Sequence, residues 1–242
     1  MNATQYPGLI PSYEHERLVA LQPYQVLGTP GQGLFNDFVS VVAKLLDVPI
    51  ALVSLVRADD VVFIGNTGLP EAQIVDREDS MCSVAILNDG LTVFADVAAE
   101  PCALVNPFVA QQMRLGFYAG QAMRTPAGQA IGSLCVLDHR PRQLSPLESQ
   151  LLTDLALVAQ NLLRLQAARA AAATLQALRQ RLDGPLQATL TRLATLAELR
   201  QWDTAADPAK AQRYTESRLD EARYLTEVLH RELQAALEEV KG

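Results

Sequence analysis

Covalent or metal chemistry in this 242-residue chain would have to come first from its three cysteines and three histidines. Cys82, Cys102 and Cys135 are odd in number and widely spaced, with no CxxC pair and no histidine beside any of them. A disulfide framework needs paired cysteines and a zinc site needs clustered ligands, so neither is expected, and no catalytic or metal-ligating residue is assigned. Cys102 falls in a predicted loop and is the plausible exposed thiol, but nothing basic stands beside it in sequence. Phosphoryl transfer would need an imidazole nitrogen as nucleophile with a carboxylate close by. Of His15, His139 and His230, the last has Glu227 and Glu232 near it and sits beside Leu229, a position expected to be a solvated helix flank.

Hydrophobic residues make up 49% of the chain and charged residues 19%, enough apolar surface to offset ordering entropy in a globular core. The formal net charge of -7 and pI near 5.0 oppose binding to nucleic acid or an anionic membrane. The N-terminus has no basic segment followed by an apolar run, and the longest apolar stretch, Val48 to Val56, is far short of a bilayer span. A soluble, cytoplasmic protein is expected, with no nucleic-acid or membrane partner.

Composition shifts near Ser145. Before it, short apolar runs alternate with Gly, Pro and Asp; after it, Leu, Ala, Gln, Arg and Glu dominate. YEHERLVALQPYQVL reads as a short helix, and Phe35 to Leu46 as a second, because Phe35, Phe38, Val39, Val42, Leu45 and Leu46 share one helical face. Strand-like segments follow at IALVSLV, VVFIGNT and LTVFADV, then at YAGQAMRT and QAIGSLCVLD around a PAG turn. This pattern predicts an α+β domain with an antiparallel meander.

The second part opens with SPLE at Ser145 to Glu148, a capping box with proline at the first helical position. Apolar residues recur at Leu151, Leu155, Val158, Leu162 and Leu165, then at Leu175, Leu178, Leu182, Leu186, Leu193 and Leu196 after an Ala-rich phase change. Spacing close to 3.5 marks helices that pack on other helices. WDTAADP ends the run, with Asp207 as N-cap and Pro208 opening the next helix, which carries Leu219, Ala222, Leu225, Leu229, Leu233, Ala236 and Val240 on one side. The two helices make an αα-hairpin whose leucine face needs a cover, and a second copy would supply one as a four-helix bundle.

Several blocks converge on one family. VPIALVSLV, the GLP at Gly68, SMCSVAI, AEPCALVNPFV and GFYAGQAMRTPAGQAIGSLCVLDHRPRQLSP closely resemble the GAF domains of bacterial sensor kinases and diguanylate cyclases. The resemblance implies a central antiparallel sheet with helices on one face and a loop-covered small-molecule pocket on the other. It places Phe63, Cys82, Asp96, Asn106, Phe117 and Tyr118 near that pocket. Core packing is the competing reading for Phe63, Cys82 and Phe117, and turns or caps for Asp96 and Asn106. Val84 stands where the family often has a histidine. No cyclic-nucleotide signature is present, and Ser83, Ala103 and Val136 follow the cysteines where bilin-binding members usually have histidine, so neither cofactor is favoured.

RLDGPLQATL in turn resembles the phosphoacceptor helix of histidine kinases, in which a HELRTPL-like block sets histidine five residues before proline. Counting back from Pro185 gives Gln180 and Arg181 at the acceptor and acidic positions. A carboxamide nitrogen is conjugated with its carbonyl and cannot attack phosphorus, and an arginine cannot accept a proton. The expected organisation is an N-terminal extension over 1–13, a GAF sensor domain over 14–165 and a degenerate phosphoacceptor-like hairpin over 166–242. The expected function is non-catalytic signal transduction. The sensor domain would couple through a continuous helix to a hairpin that forms a homodimer and binds a histidine kinase or response regulator. The alternatives are a GAF-type free methionine sulfoxide reductase and a phosphotransfer protein using His230.

Overall fold

The computed structural model describes residues 6–25, 33–168, 172–199 and 208–241. Its centre is a six-stranded sheet built from β1 (Ile50–Val56), β2 (Asp60–Thr67), β3 (Ile74–Asp76), β4 (Thr92–Phe94), β5 (Phe117–Arg124) and β6 (Ala130–Asp138). The order β3-β2-β1-β6-β5-β4 is two antiparallel meanders joined where β1 pairs with β6, with Ser54 opposite Ser133 and Leu52 opposite Cys135. The expected PAG hairpin joins β5 to β6, closed by the Thr125 N–H on the Gln129 carbonyl at 2.9 Å. Strand β3 is absent from the expected set: three partly exposed edge residues are too few to show a period-two pattern.

Both central strands are buried along their whole length. Successive side chains alternate between faces, so two separate cores form. One lies under helices α1 (Glu14–Gln25), α2 (Leu34–Leu46) and α5 (Pro146–Ala167). The other lies under short pieces: 3-10 turns at Pro7–Leu9 and Arg77–Asp79, α3 (Cys82–Ala85) and α4 (Pro107–Gln112). The six apolar residues predicted to share a face of α2 are all buried. Ser145 caps α5 in the predicted box, accepting from Glu148 N–H at 3.2 Å while the Glu148 carboxylate accepts from Ser145 N–H at 2.8 Å. Gly68, in the GLP turn, has φ +93 and lies so close to the Pro49 carbonyl that a Cβ could not be accommodated.

The hairpin consists of α6 (Ala172–Glu198), which runs through Pro185, and α7 (Pro208–Lys241). The predicted N-cap Asp207 lies outside the described residues. The expected continuous helix is not seen, because α5 ends at Ala168 in an extended conformation (φ -61, ψ 133). The apolar repeat changes phase there, so the leucine face of α6 does not continue that of α5. The hairpin folds back on the helix side of the domain, α7 against α5 and α6 against α2 and α7. Leu186, Leu190, Leu193, Leu219, Leu225, Leu229 and Leu233 are buried in the same core as the sheet. These four helices thus form a bundle within one chain. A tethered cover loses none of the translational freedom that a second copy would give up. Among the described residues, no helix is long and apolar enough to cross a membrane.

A charged clamp ties the start of α1 to the sheet. Glu14 accepts from Arg17 Nε and Nη2 at 2.7 Å each and from Arg77 Nη1 at 2.5 Å. Arg17 is fully buried and also donates to the Val56 carbonyl at 2.7 Å, while Arg77 reaches the Leu9 carbonyl at 2.9 Å. Burial alone would raise the Glu14 carboxyl, but the two guanidinium groups hold it below its ordinary value of 4.5. Glu14→Gln leaves both cations undercompensated and is expected to cost about 3 kcal/mol in denaturant unfolding. Because the folded pKa is depressed, the stability tied to Glu14 is complete above pH 4.5 and disappears as pH falls through the folded value; the variant should lack that part of the acid slope.

Candidate functional site

The loop-covered face of the sheet carries the candidate site. Tyr118 of β5 and Cys135 of β6 point to this face, with Phe63 of β2 further along it. All three are buried, as is Cys82 at the start of α3 above them. Cys82 Sγ lies 3.4 Å from Cys135 Sγ. Beneath them Ser54 and Ser133 bring their hydroxyls within 3.0 Å of each other, and Ser54 Oγ accepts from Ser133 N–H at 3.2 Å. Gly120 pairs with Cys135 across the strands, and the Tyr118 side chain lies back over it; a Cβ at Gly120 would overlap Tyr118 Oη. Phe94 meets the Tyr118 ring edge-on, with centroids 6.4 Å apart.

This small polar group is out of balance. Tyr118 is fully buried and its hydroxyl has no hydrogen-bond partner of acceptable geometry among the described residues, although both thiols and Ser133 lie close enough to perturb it. Burial pushes the Tyr118 phenol well above its ordinary value. The two thiols are driven apart: the Cys135 S–H and, against the cost of burial, the hydroxyls of Ser54, Ser133 and Ser80 favour the Cys82 thiolate, whereas burial and Cys82 itself push Cys135 up.

A cleft of about 440 Å³ opens beside this layer, past the start of β5. Met81, Val97, Cys102, Val105, Ala110 and Leu115 give it apolar walls, and Asp96, Gln111, Arg114 and His139 give it a polar rim. Of the six residues expected near a pocket, Phe63, Cys82 and Tyr118 belong to the buried layer and Asp96 to the cleft. Asp96 Oδ1 also accepts from the N–H groups of Ala98 and Ala99 at 3.1 and 3.0 Å, the turn role. Asn106 lies outside the cleft wall, donating to Asp79 Oδ1 at 2.9 Å and tying the loop down. Phe117 is on the opposite, helix-side face, since a neighbour of Tyr118 in a strand cannot share its face. The contact of Cys135 with Cys82 does not follow from the sequence reading above. Its signal lies in the alternation of Leu134, Cys135 and Val136, which sends the cysteine to the face away from the helices.

The model of the GAF domain matches residues 31–163. The chain belongs to the GAF family. A cyclic di-GMP phosphodiesterase from Pseudomonas aeruginosa is 33% identical over 132 residues, which cover 54% of this chain but only 22% of that protein. Among solved structures, the GAF domain of an Acinetobacter phosphoenolpyruvate-protein phosphotransferase is 13% identical, covers 61% of this chain and 92% of that one, and has a TM-score of 0.46. A free methionine-R-sulfoxide reductase from Neisseria meningitidis, in complex with its substrate, is 18% identical, covers 66% of this chain and 91% of that one, and has a TM-score of 0.45. The relative named as a phosphodiesterase corrects the expectation that this chain is not an enzyme, because the domain occurs in a protein with a named activity. The reason is chemical: Gln180 in place of a histidine speaks only against phosphoryl transfer on the hairpin, and is silent about every other reaction.

His230 is not on the solvated flank expected of it. It is half-buried between α7 and α5, where Asn161, itself fully buried, donates its Nδ2 to His230 Nδ1 at 3.1 Å. Burial lowers the His230 pKa below its ordinary 6.5, and nearby Arg164 acts in the same direction; Asp154 and the Leu157 carbonyl oppose them without reversing the shift. With the folded value depressed, the contribution of neutral His230 is complete above pH 6.5 and is lost as pH falls through the folded value. Thermal unfolding followed between pH 7.5 and 5 should therefore show a loss of stability on acidification that is reduced in His230→Leu.

Proposed function

We propose that this chain is a signalling regulator. Its GAF domain takes a small molecule in the cleft beside Cys102 and Leu115, and its hairpin presents the result to a partner protein. The observation that carries the reading is the docking of the hairpin on the GAF helices. The leucine face of α6 and α7 is covered by α2 and α5, and α5 packs on β5, whose first residues adjoin the cleft. One polar tie follows the same route, Gln160 of α5 accepting from Arg124 N–H of β5 at 2.6 Å. A shift of β5 on filling of the cleft thus bears directly on the surface that holds the hairpin.

Packed helices move between discrete arrangements and do not deform continuously. In the docked arrangement the hairpin hides its apolar face; released, it has a face suited to a second hairpin or to a helical partner. The resemblance of RLDGPLQATL to a phosphoacceptor helix favours a partner of the histidine kinase or response regulator class. Gln180 and Arg181 are both exposed in α6, and Arg181 pairs with Glu239 of α7 at 2.8 Å. A homodimer through the C-terminal helices belongs to the released state in this reading.

Filling the cleft from within tests the coupling without a known ligand. In Ala110→Phe, hydrogen exchange in α6 and α7 should rise, and the emission of the sole tryptophan, Trp202, between those helices in sequence, should change. Exchange confined to the cleft loops, with α6 and α7 unaltered, would remove the coupling. Ala222→Glu, at a fully buried α7 position, should release the hairpin directly and shift the chain toward dimers in light scattering; a variant that stays monomeric and keeps native exchange would count against release.

A further inference from the structure

We infer that Cys82 and Cys135 are a redox-active dithiol that a small hydroperoxide converts to an intrachain disulfide. This goes beyond the regulatory reading and does not depend on it. The two sulfurs are 3.4 Å apart although the residues are 53 positions apart in sequence. A disulfide bond is about 2.0 Å long, so closure needs a movement of roughly 1.4 Å. The two sides are unequally free to make it. Cys135 is held in a strand paired on both edges, by β1 and by β5. Cys82 sits in a four-residue helix between loops, which can settle onto the sheet.

The surroundings suit the chemistry. The thiolate is the attacking form, and the neighbours of Cys82, Cys135 first among them, favour it there, while burial keeps the proton on Cys135 longer. Cys82 Sγ attacks the terminal oxygen of the hydroperoxide; the O–O bond breaks and the other oxygen leaves with a proton as alcohol or water. The product is a sulfenic acid at Cys82. Cys135 Sγ then attacks Cys82 Sγ, the S–O bond breaks, and the oxygen departs as water with the proton Cys135 gives up. Two thiols are oxidised by two electrons in all, and one O–O bond is reduced. Tyr118 Oη, buried and without a partner among the described residues, is a hydroxyl donor in the same enclosure, free to bond the departing oxygen. Met81, next to Cys82 in the chain, is a wall of the open cleft, which sets that cleft beside the segment carrying the attacking sulfur. The nearly complete burial of both cysteines excludes bulky or charged oxidants.

The test uses the full chain, reduced and folded, treated with a stoichiometric amount of hydrogen peroxide, then alkylated in denaturant and weighed. The alkylatable thiols should fall from three to one, with a Cys82–Cys135 peptide in the digest. Cys102→Ser should form the same bond, Cys82→Ser and Cys135→Ser should not, and Tyr118→Phe should form it more slowly. Three thiols remaining after peroxide, or a bond that involves Cys102, would overturn the inference. Because the wild-type chain decides between these outcomes by itself, a serine variant that fails to fold does not weaken the test.

Discussion

The rest of the molecule depends on the burial of β1 and β6 from both sides. A one-residue slip turns every side chain of a strand to the opposite face, and here each face already carries a packed core, so every displaced side chain would meet a layer shaped for another. The pairing of Ile50 through Leu55 with Leu137 through Gly132 is therefore specified twice, once by each apolar layer. From it follows a division of labour. Val53, Leu134, Val136 and Phe117 meet long helices, while Ser54, Cys135 and Tyr118 meet a one-turn helix and loops. The first set makes a continuous apolar surface, and the second includes polar atoms that must find partners or do without.

On the helix side the apolar surface does not stop at the domain. Leu45 and Leu46 of α2 and Leu155 and Leu162 of α5 join the same cluster as Leu193 of α6 and Leu229 of α7. The seams are mostly apolar, with a few directed contacts across them: Arg218 to the Leu45 carbonyl, Arg223 to Asp154 and Asn161 to His230. Apolar packing supplies the bulk of the attraction without fixing direction, and buried polar pairs fix one arrangement at the expense of others. A hairpin held in this way is docked specifically and is still separable as a unit.

Much of this is legible in the sequence, for identifiable reasons. Long elements can be read because one physical signal governs each: the apolar face of α2, the capping box of α5, the strand-forming runs of β5 and β6 on either side of their PAG turn. The short elements β3, α3 and α4 cannot, since three to six residues carry too little pattern. The placement of Phe117 with Tyr118 fails against a rule that the sequence alone supplies, the alternation of neighbours in a strand. The cover of the leucine face is not legible in kind. Leu219, Leu225 and Leu233 declare that a partner surface exists, and nothing in their spacing distinguishes α5 of the same chain from a second copy. Of the six residues expected near a pocket only Asp96 falls on the cleft wall, because the volume above the sheet depends on how Phe63, Tyr118 and Met81 pack together, which spacing along the chain does not carry.

The buried polar layer bears on function through its cost. Placing Ser54, Ser133, Tyr118 and two thiols between apolar layers forgoes the apolar burial that the same positions offer on the other face, and an unpaired phenol adds a penalty on the order of 1–3 kcal/mol. Ser54 and Ser133 offset part of this by bonding each other and the strand backbone. Tyr118 does not, and Gly120 keeps it that way, since the room its missing side chain leaves is the room the phenol occupies. A fold under pressure for stability alone would have phenylalanine there, with the same ring against Phe94 and no orphaned oxygen. Among the described residues, the groups beside that hydroxyl are the two thiols and Ser133.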